Sequence, residues 1–222
     1  MMNITRLKNK MMKKYSVLLI GLLFCSITGS AQYQKATVEQ QKEIVSKITQ
    51  ALSNMNTMQC DFTQVKELTF IGDKATSEGK MFYKKTNKLR WEYTAPVRYA
   101  FSTDGKNLWT SAGGKTTAVP ANQRKLLDGM NKVMISGVTG TGLADSPDFD
   151  TEIFVGNDDY KIILTPKKKE VKDLYSSIQL YVNKQNNRTR SVELVEKKGD
   201  KTTIELKNIQ VNKTINDEIF SL

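Results

Sequence analysis

The chain has 222 residues and no histidine, which removes histidine-based triads, general bases and metal sites from consideration. Cysteine adds little. Cys25 and Cys60 form no CxxC pair and no zinc-ligand spacing. Cys60 stands between Met58 and Phe62 at strand spacing, where a free thiol is more often a buried apolar group than a nucleophile. The run Gly113-Gly114-Lys115-Thr116-Thr117 has the GKT end of a phosphate loop. The position where that loop needs its first glycine holds Trp109, so the run reads as a turn. The glycines of GVTGTG, residues 137–142, do not match GxGxxG and follow no strand. Paired carboxylates are the one catalytic chemistry left open, because acids are plentiful and a sequence alone does not place them in space. No catalytic residue, metal or cofactor is expected.

The basic residues Arg6, Lys8, Lys10, Lys13 and Lys14 precede an apolar run from Val17 to Phe24, and Gly29-Ser30-Ala31 follow with small side chains. This is the pattern of a secretory signal peptide cleaved after Ala31, with Met12 as a second candidate start. The apolar run falls short of the roughly 20 residues a membrane span needs. Phe24 stands where an acylation motif before Cys25 would need a small residue, so a lipid anchor there is not expected. Removing residues 1–31 lowers the formal charge from +11 to +6 and leaves Cys60 as the one thiol, with no internal disulfide possible. The remaining excess sits mostly in Lys167–Lys169 and in Lys197, Lys198 and Lys201. These read as solvated turns rather than a nucleic-acid face with stacking aromatics. Residues 32–222 fit a single domain.

Within that domain, Val38 to Asn56 places Val45, Ile48, Leu52 and Met55 at spacings of three and four, which predicts an amphipathic helix covering something with one side. From Thr57 the period becomes two. Met58, Cys60 and Phe62 alternate with polar residues, then Met81 and Tyr83, then Leu89, Trp91 and Tyr93, then Phe101 in YAFST. A second helix is expected over Ala121 to Gly137, with Leu126, Leu127, Met130, Val133 and Met134 on one stripe. Strands then resume to the end, about ten in all. Two helices are too few to cover a flat sheet of that size. A strongly curved antiparallel sheet, mainly β, with an apolar concave face and helices across its mouth is the economical arrangement.

The order of these features resembles the outer-membrane lipoprotein carrier family, LolA. The resemblance is carried by Phe62-Thr63-Gln64, Gly79, the Leu89 to Pro96 run, Asp104-Gly105-Lys106 with Leu108-Trp109, and the closing LKNIQVNKTINDEIF. It implies an incomplete β-barrel with a helical lid over an apolar cavity. It also implies a periplasmic, monomeric carrier that binds acylated lipoproteins, with no enzyme activity and no nucleic-acid partner. The implied partners are an inner-membrane ABC transporter and, where one exists, an outer-membrane acceptor. The residues expected to meet the acyl chains are Met81, Tyr83, Leu89, Trp91, Tyr93, Phe101, Leu126, Leu127, Met130 and Met134. The family places an Arg-Pro pair at the turn between two of these strands, and the arginine bonds to the lid in the empty carrier. Here Lys85 and Thr86 take that place. Lysine keeps the charge but lacks the planar fork of donors, so Lys85 inherits the latch role in altered form. A lipid-sensing domain of envelope regulation is an alternative, as are a carboxylate-dependent envelope enzyme and an adhesin-like scaffold.

Overall fold

Thr37 opens the first helix. Its hydroxyl accepts from Gln40 N–H at 3.3 Å while the Gln40 side chain accepts from Thr37 N–H at 2.9 Å, a reciprocal capping box. The helix, α1 (Val38–Ser53), is about 24 Å long at 1.5 Å per residue. It buries Ile44, Ile48 and Leu52, each contributing about 1.5–3 kcal/mol. The buried row matches the expected one at Ile48, Leu52 and Met55 and differs at its first member, where Ile44 rather than Val45 points down. Within the helix it follows a strict spacing of four, with Val45 half-buried on its edge and Met55 buried just past the helix end.

The structure, a computed structural model, describes residues 33–85, 87–120, 124, 134–136, 143 and 146–221. The expected leader lies outside the described residues, as do Leu126, Leu127, Met130 and most of the second helix. From Tyr33 on, the chain forms one compact unit.

Twelve strands make one sheet. The first, β1 (Gln34–Lys35), has only two residues and no readable period. Six strands follow α1 as a meander: β2 (Thr57–Leu68), β3 (Asp73–Lys84), β4 (Lys88–Ala95), β5 (Tyr99–Thr103), β6 (Leu108–Ala112) and β7 (Lys115–Ala118). A second meander runs through β8 (Phe149–Val155), β9 (Asp159–Pro166), β10 (Tyr175–Asn183), β11 (Arg188–Glu196) and β12 (Lys201–Val211). A single turn of helix, α2 (Lys169–Lys172), interrupts the second meander. The spatial order is β1-β8-β9-β10-β11-β12-β2-β3-β4-β5-β6-β7, so β12 pairing with β2 joins the meanders. All neighbouring pairs are antiparallel.

The sheet does not close on itself, because β7 ends one side and β1 the other. It does curve. Leu89 on β4 and Ile162 on β9 are six strands apart in the order yet belong to one buried apolar cluster, which only a sheet bent around its inner face allows. The fold is thus mainly β, an open, curved antiparallel sheet.

Among the described residues, the C-terminal segment covers part of the outer face. Past β12 the chain crosses β4 and β5 and ends in a 3-10 helix, Asp217–Phe220. Phe220 is fully buried there, and its carbonyl accepts from the buried Ser102 hydroxyl at 2.8 Å. Lys84 and Lys88 hold Asp217 at 2.6 and 2.9 Å.

Candidate functional site on the inner face

Alternation turns three long strands into one continuous apolar wall. Cys60 lies opposite Met81, Met81 opposite Trp91, and Trp91 opposite Phe101. The adjacent row sets Met58, Tyr83 and Leu89 side by side in the same way. Met81, Tyr83, Leu89, Trp91 and Phe101 are all buried, and Tyr93 packs half-buried against the same cluster. Met134, in the short helical stretch 134–136, also packs half-buried on that cluster. The structure therefore brings together every expected lining residue that it describes.

Aromatic rings line the lower part of the wall. Phe62 stacks on Trp91 with centroids 4.2 Å apart and meets Tyr93 edge-on at 5.3 Å. The space for Phe62 comes from Gly79, directly opposite it on β3. A Cβ at Gly79 would lie 2.4 Å from Phe62 Cζ and 2.1 Å from the Glu92 carbonyl oxygen. The Tyr93 hydroxyl donates to Gln64 Oε1 at 3.0 Å, and burial pushes its phenol above the ordinary range. Burial likewise pushes the Cys60 thiol up to about 12, with the Asp61 charge adding to it, so this thiol stays protonated at neutral pH.

The far wall follows the same period of two and adds residues beyond the expected lining. Tyr160, Ile162 and Leu164 on β9 and Ile178, Leu180 and Val182 on β10 are buried at alternate positions. Phe149, Thr151 and Ile153 share one face of β8, and Leu143 and Ile135 are buried with the cluster.

Between the flank of α1 and β8 lies an open cleft of about 910 Å³, within the usual size range for ligand sites of roughly 300–1,000 Å³. Val38, Gln41, Lys42, Val45 and Thr49 form its helical wall, and Leu143, Phe149, Thr151 and Ile153 face them. Lys167, paired with Asp150 at 2.8 Å, stands at its rim. Of six buried side-chain polar atoms without a hydrogen-bond partner among the described residues, two lie here: Thr151 Oγ1 in the cleft and Trp91 Nε1 in the aromatic wall. An unpaired buried donor costs about 1–3 kcal/mol, and an incoming carbonyl oxygen would relieve it. Among the described residues no cluster of acids and cysteines is arranged to hold a metal ion.

Lys85 meets α1 from below. Its backbone N–H donates to the Asn56 carbonyl at 2.8 Å, and its Nζ lies 3.5 Å from the Ser53 carbonyl, at the last residue of the helix. The ammonium thus faces the negative end of the α1 dipole.

A curved sheet with an apolar inner wall and a covering helix is the arrangement that the sequence motifs pointed to, and the side cleft is added by the structure. The family model for the outer membrane lipoprotein carrier protein LolA matches residues 53–222. The chain belongs to the LolA family. A curated outer-membrane lipoprotein carrier protein from Coxiella burnetii is 30% identical over 94 residues, 41% of this chain and 40% of that one. The chain thus spans about two fifths of the length of that LolA relative. A carrier protein of the same description from Methylococcus capsulatus is 24% identical over 177 residues, covering 79% of this chain and 81% of the relative. A solved LolA superfamily protein from Nitrosomonas europaea superposes with a TM-score of 0.45 at 14% identity, over 82% of this chain and 97% of that one.

Proposed function

We propose that this protein carries acylated lipoproteins across the periplasm, holding their acyl chains against the inner face of the sheet. The observation that carries this reading is the continuous apolar wall of Met81, Tyr83, Leu89, Trp91, Tyr93 and Phe101 on the inner face, with the α1–β8 cleft as a separate opening beside the same core. Leu126, Leu127, Met130 and Met134 would supply a lid over that wall. Methionine suits such a surface, because its unbranched side chain repacks easily against mobile chains. Thr151 Oγ1 and Trp91 Nε1 would donate to the ester or amide carbonyls where the acyl chains join their head. Carriage makes and breaks no bond, so no catalytic residue is needed.

Release is the harder problem. Burying one long acyl chain is worth about 10 kcal/mol as an upper bound, at about 0.8 kcal/mol per CH₂. A permanently open apolar cavity would hold cargo too firmly to deliver it. Here the described inner face is already packed, so cargo must displace protein, and net affinity becomes a difference of two large terms. Lys85 would act as a latch by holding the last turn of α1. The protein would receive cargo from an inner-membrane ABC transporter after its own export, deliver it to the outer membrane or to an acceptor there, and work as a monomer.

Displacement of an environment-sensitive apolar dye by a triacylated lipopeptide tests this reading, using the protein recovered after export. Saturable displacement is expected, weakened at least tenfold by Val45→Glu, which puts a charge on the half-buried cleft wall without touching the fully buried core. No displacement from folded protein, or full displacement from the variant, would overturn the reading.

A further inference from the structure

Among the described residues few large apolar side chains are strongly exposed, and the tip of the β2–β3 hairpin sets two of them side by side. Phe70 is 99% exposed and Ile71 is 64% exposed. We propose that this tip is a membrane-contact element, with Phe70 and Ile71 entering the interface of a bilayer that carries anionic headgroups. The surface is distinct from the inner face, so the proposal does not rest on the cargo reading.

Three observations carry it. The first is reach. β3 pairs with β4 only from Glu78 onward, so Asp73 to Ser77 extend past the end of β4. Five residues at about 3.4 Å each set the tip roughly 17 Å beyond β4 on that side. On the other side β12 pairs with β2 as far as Glu67, so the tip stands level with the β11–β12 turn.

The second is rigidity. The Ile71 and Gly72 N–H groups donate to the Leu68 carbonyl at 3.2 and 2.9 Å, with Gly72 in the left-handed region at φ +68. Thr69 then ties the tip to the β11–β12 turn: its N–H donates to Asp200 Oδ1 at 3.0 Å and its hydroxyl to the Gly199 carbonyl at 2.7 Å. Phe70 is held outward by a fixed backbone. A turn of this shape places no demand for a large apolar residue at that position, and exposing one to water gives no stability.

The third is charge. The tied turn carries Lys197, Lys198 and Lys201, and its Lys197 N–H donates to the Leu174 carbonyl at 3.1 Å, which brings the end of the Lys169–Lys172 helix alongside. Lys66, Lys74 and Lys197 face acids, with Glu196 at 2.8 Å, Glu67 at 2.6 Å and Asp173 at 3.8 Å respectively. Lys201 lies opposite Glu67 on β2, and Asp73 and Asp200 also stand beside the tip. Lys198 makes no ion pair among the described residues and, with Lys201 at the strand end, is placed to meet an outside anion. An apolar tip backed by cations complements a bilayer interface, where aliphatic and aromatic groups enter and lysines reach the phosphates. A protein partner would need a pocket shaped for a narrow two-residue projection. A bilayer accepts it without one.

The test is sedimentation of cargo-free exported protein with vesicles of phosphatidylcholine, alone or with one third phosphatidylglycerol. Wild-type protein should partition into the anionic vesicles, with at least a tenfold loss in the Phe70→Ser/Ile71→Ser double variant. Lys198→Gln/Lys201→Gln should bind several-fold more weakly and respond less to salt. Phe70→Trp should shift its emission to the blue on vesicle addition, read as the difference from wild-type protein, which has Trp91 and Trp109. Because the tip is exposed, none of these changes should affect folding. Equal partitioning of the Ser/Ser variant, or a Phe70→Trp emission unmoved by vesicles, would overturn the proposal. So would tip-dependent self-association without vesicle binding, which would assign the tip to a second copy.

Discussion

At the scale of single residues, much of the inner wall is legible because alternation needs nothing but the sequence. Leu89, Trp91 and Tyr93 announce one face, and that face is the one buried. What a single strand does not reveal is the reason for a residue whose partner lies across the sheet. Gly79 appears in the sequence as a landmark only; its meaning is the Phe62 ring seated over it and the Glu92 carbonyl behind it. Gly79→Ala should therefore cost about 3 kcal/mol, at the upper end for overpacking, seen as a lower urea midpoint. A second change at Phe62 should restore only part of this, because the Glu92 oxygen is backbone and does not move aside. Thr151 teaches the complementary lesson, since nothing in its sequence context shows that its hydroxyl is buried with no partner among the described residues. Thr151→Val should raise stability by about 1 kcal/mol, the penalty of that orphaned group. The same change should weaken lipopeptide binding several-fold in the dye assay if the hydroxyl meets an acyl carbonyl. A stabilised variant with unchanged binding would leave Thr151 out of cargo recognition.

At the scale of elements, the helix, the meanders and the turns could be read in advance, but their edges could not. The α1 stripe differs from the expected one only in Ile44 taking the place of Val45, because both are apolar and only the position of the sheet beneath decides which points down. β1 is too short to show any period, and it exists because β8 offers an unpaired edge, with Ala36 N–H donating to the Ile153 carbonyl at 2.9 Å just beyond it. Tertiary contact, not local propensity, places both. The same holds for Lys85, whose contact with the end of α1 follows from where β3 stops. If Lys85 steadies that helix end, Lys85→Leu should speed hydrogen exchange of the Gln50 to Ser53 amides about two- to fivefold, as expected for a cation of about 0.3–1 kcal/mol at a helix C-terminus. Exchange elsewhere in the sheet should stay unchanged. Equal exchange in α1 would remove the latch.

For the whole molecule, the central fact is that the described inner face holds cargo-sized apolar surface but no matching void: Met81, Leu89, Ile162 and Ile178 are all fully buried. On the proposed function, cargo would either wait for the sheet and α1 to part, or enter by the α1–β8 cleft while the core stays closed. Cys60 distinguishes these routes, because it lies in the wall and is the one thiol of the described residues. With its thiol pushed up to about 12 in the closed state, only on the order of one thiol in 10⁴ is ionised at pH 8, against roughly a quarter in an open state of ordinary pKa near 8.5. Labelling at pH 8 therefore reports opening. The closed state binds this proton more tightly, so its stability is fully present below about pH 8.5 and is lost as pH rises towards 12. Labelling should accelerate over that interval by more than thiolate chemistry alone predicts. Ile48→Ala, which removes about 2–5 kcal/mol of core contact beneath α1, should speed labelling by at least tenfold. If cargo enters through the open state, the lipopeptide association rate should rise in parallel, because opening precedes capture. Faster labelling with an unchanged association rate would instead assign entry to the cleft, and the closed inner wall would then serve as the scaffold that shapes the cleft rather than as the cargo's own surface.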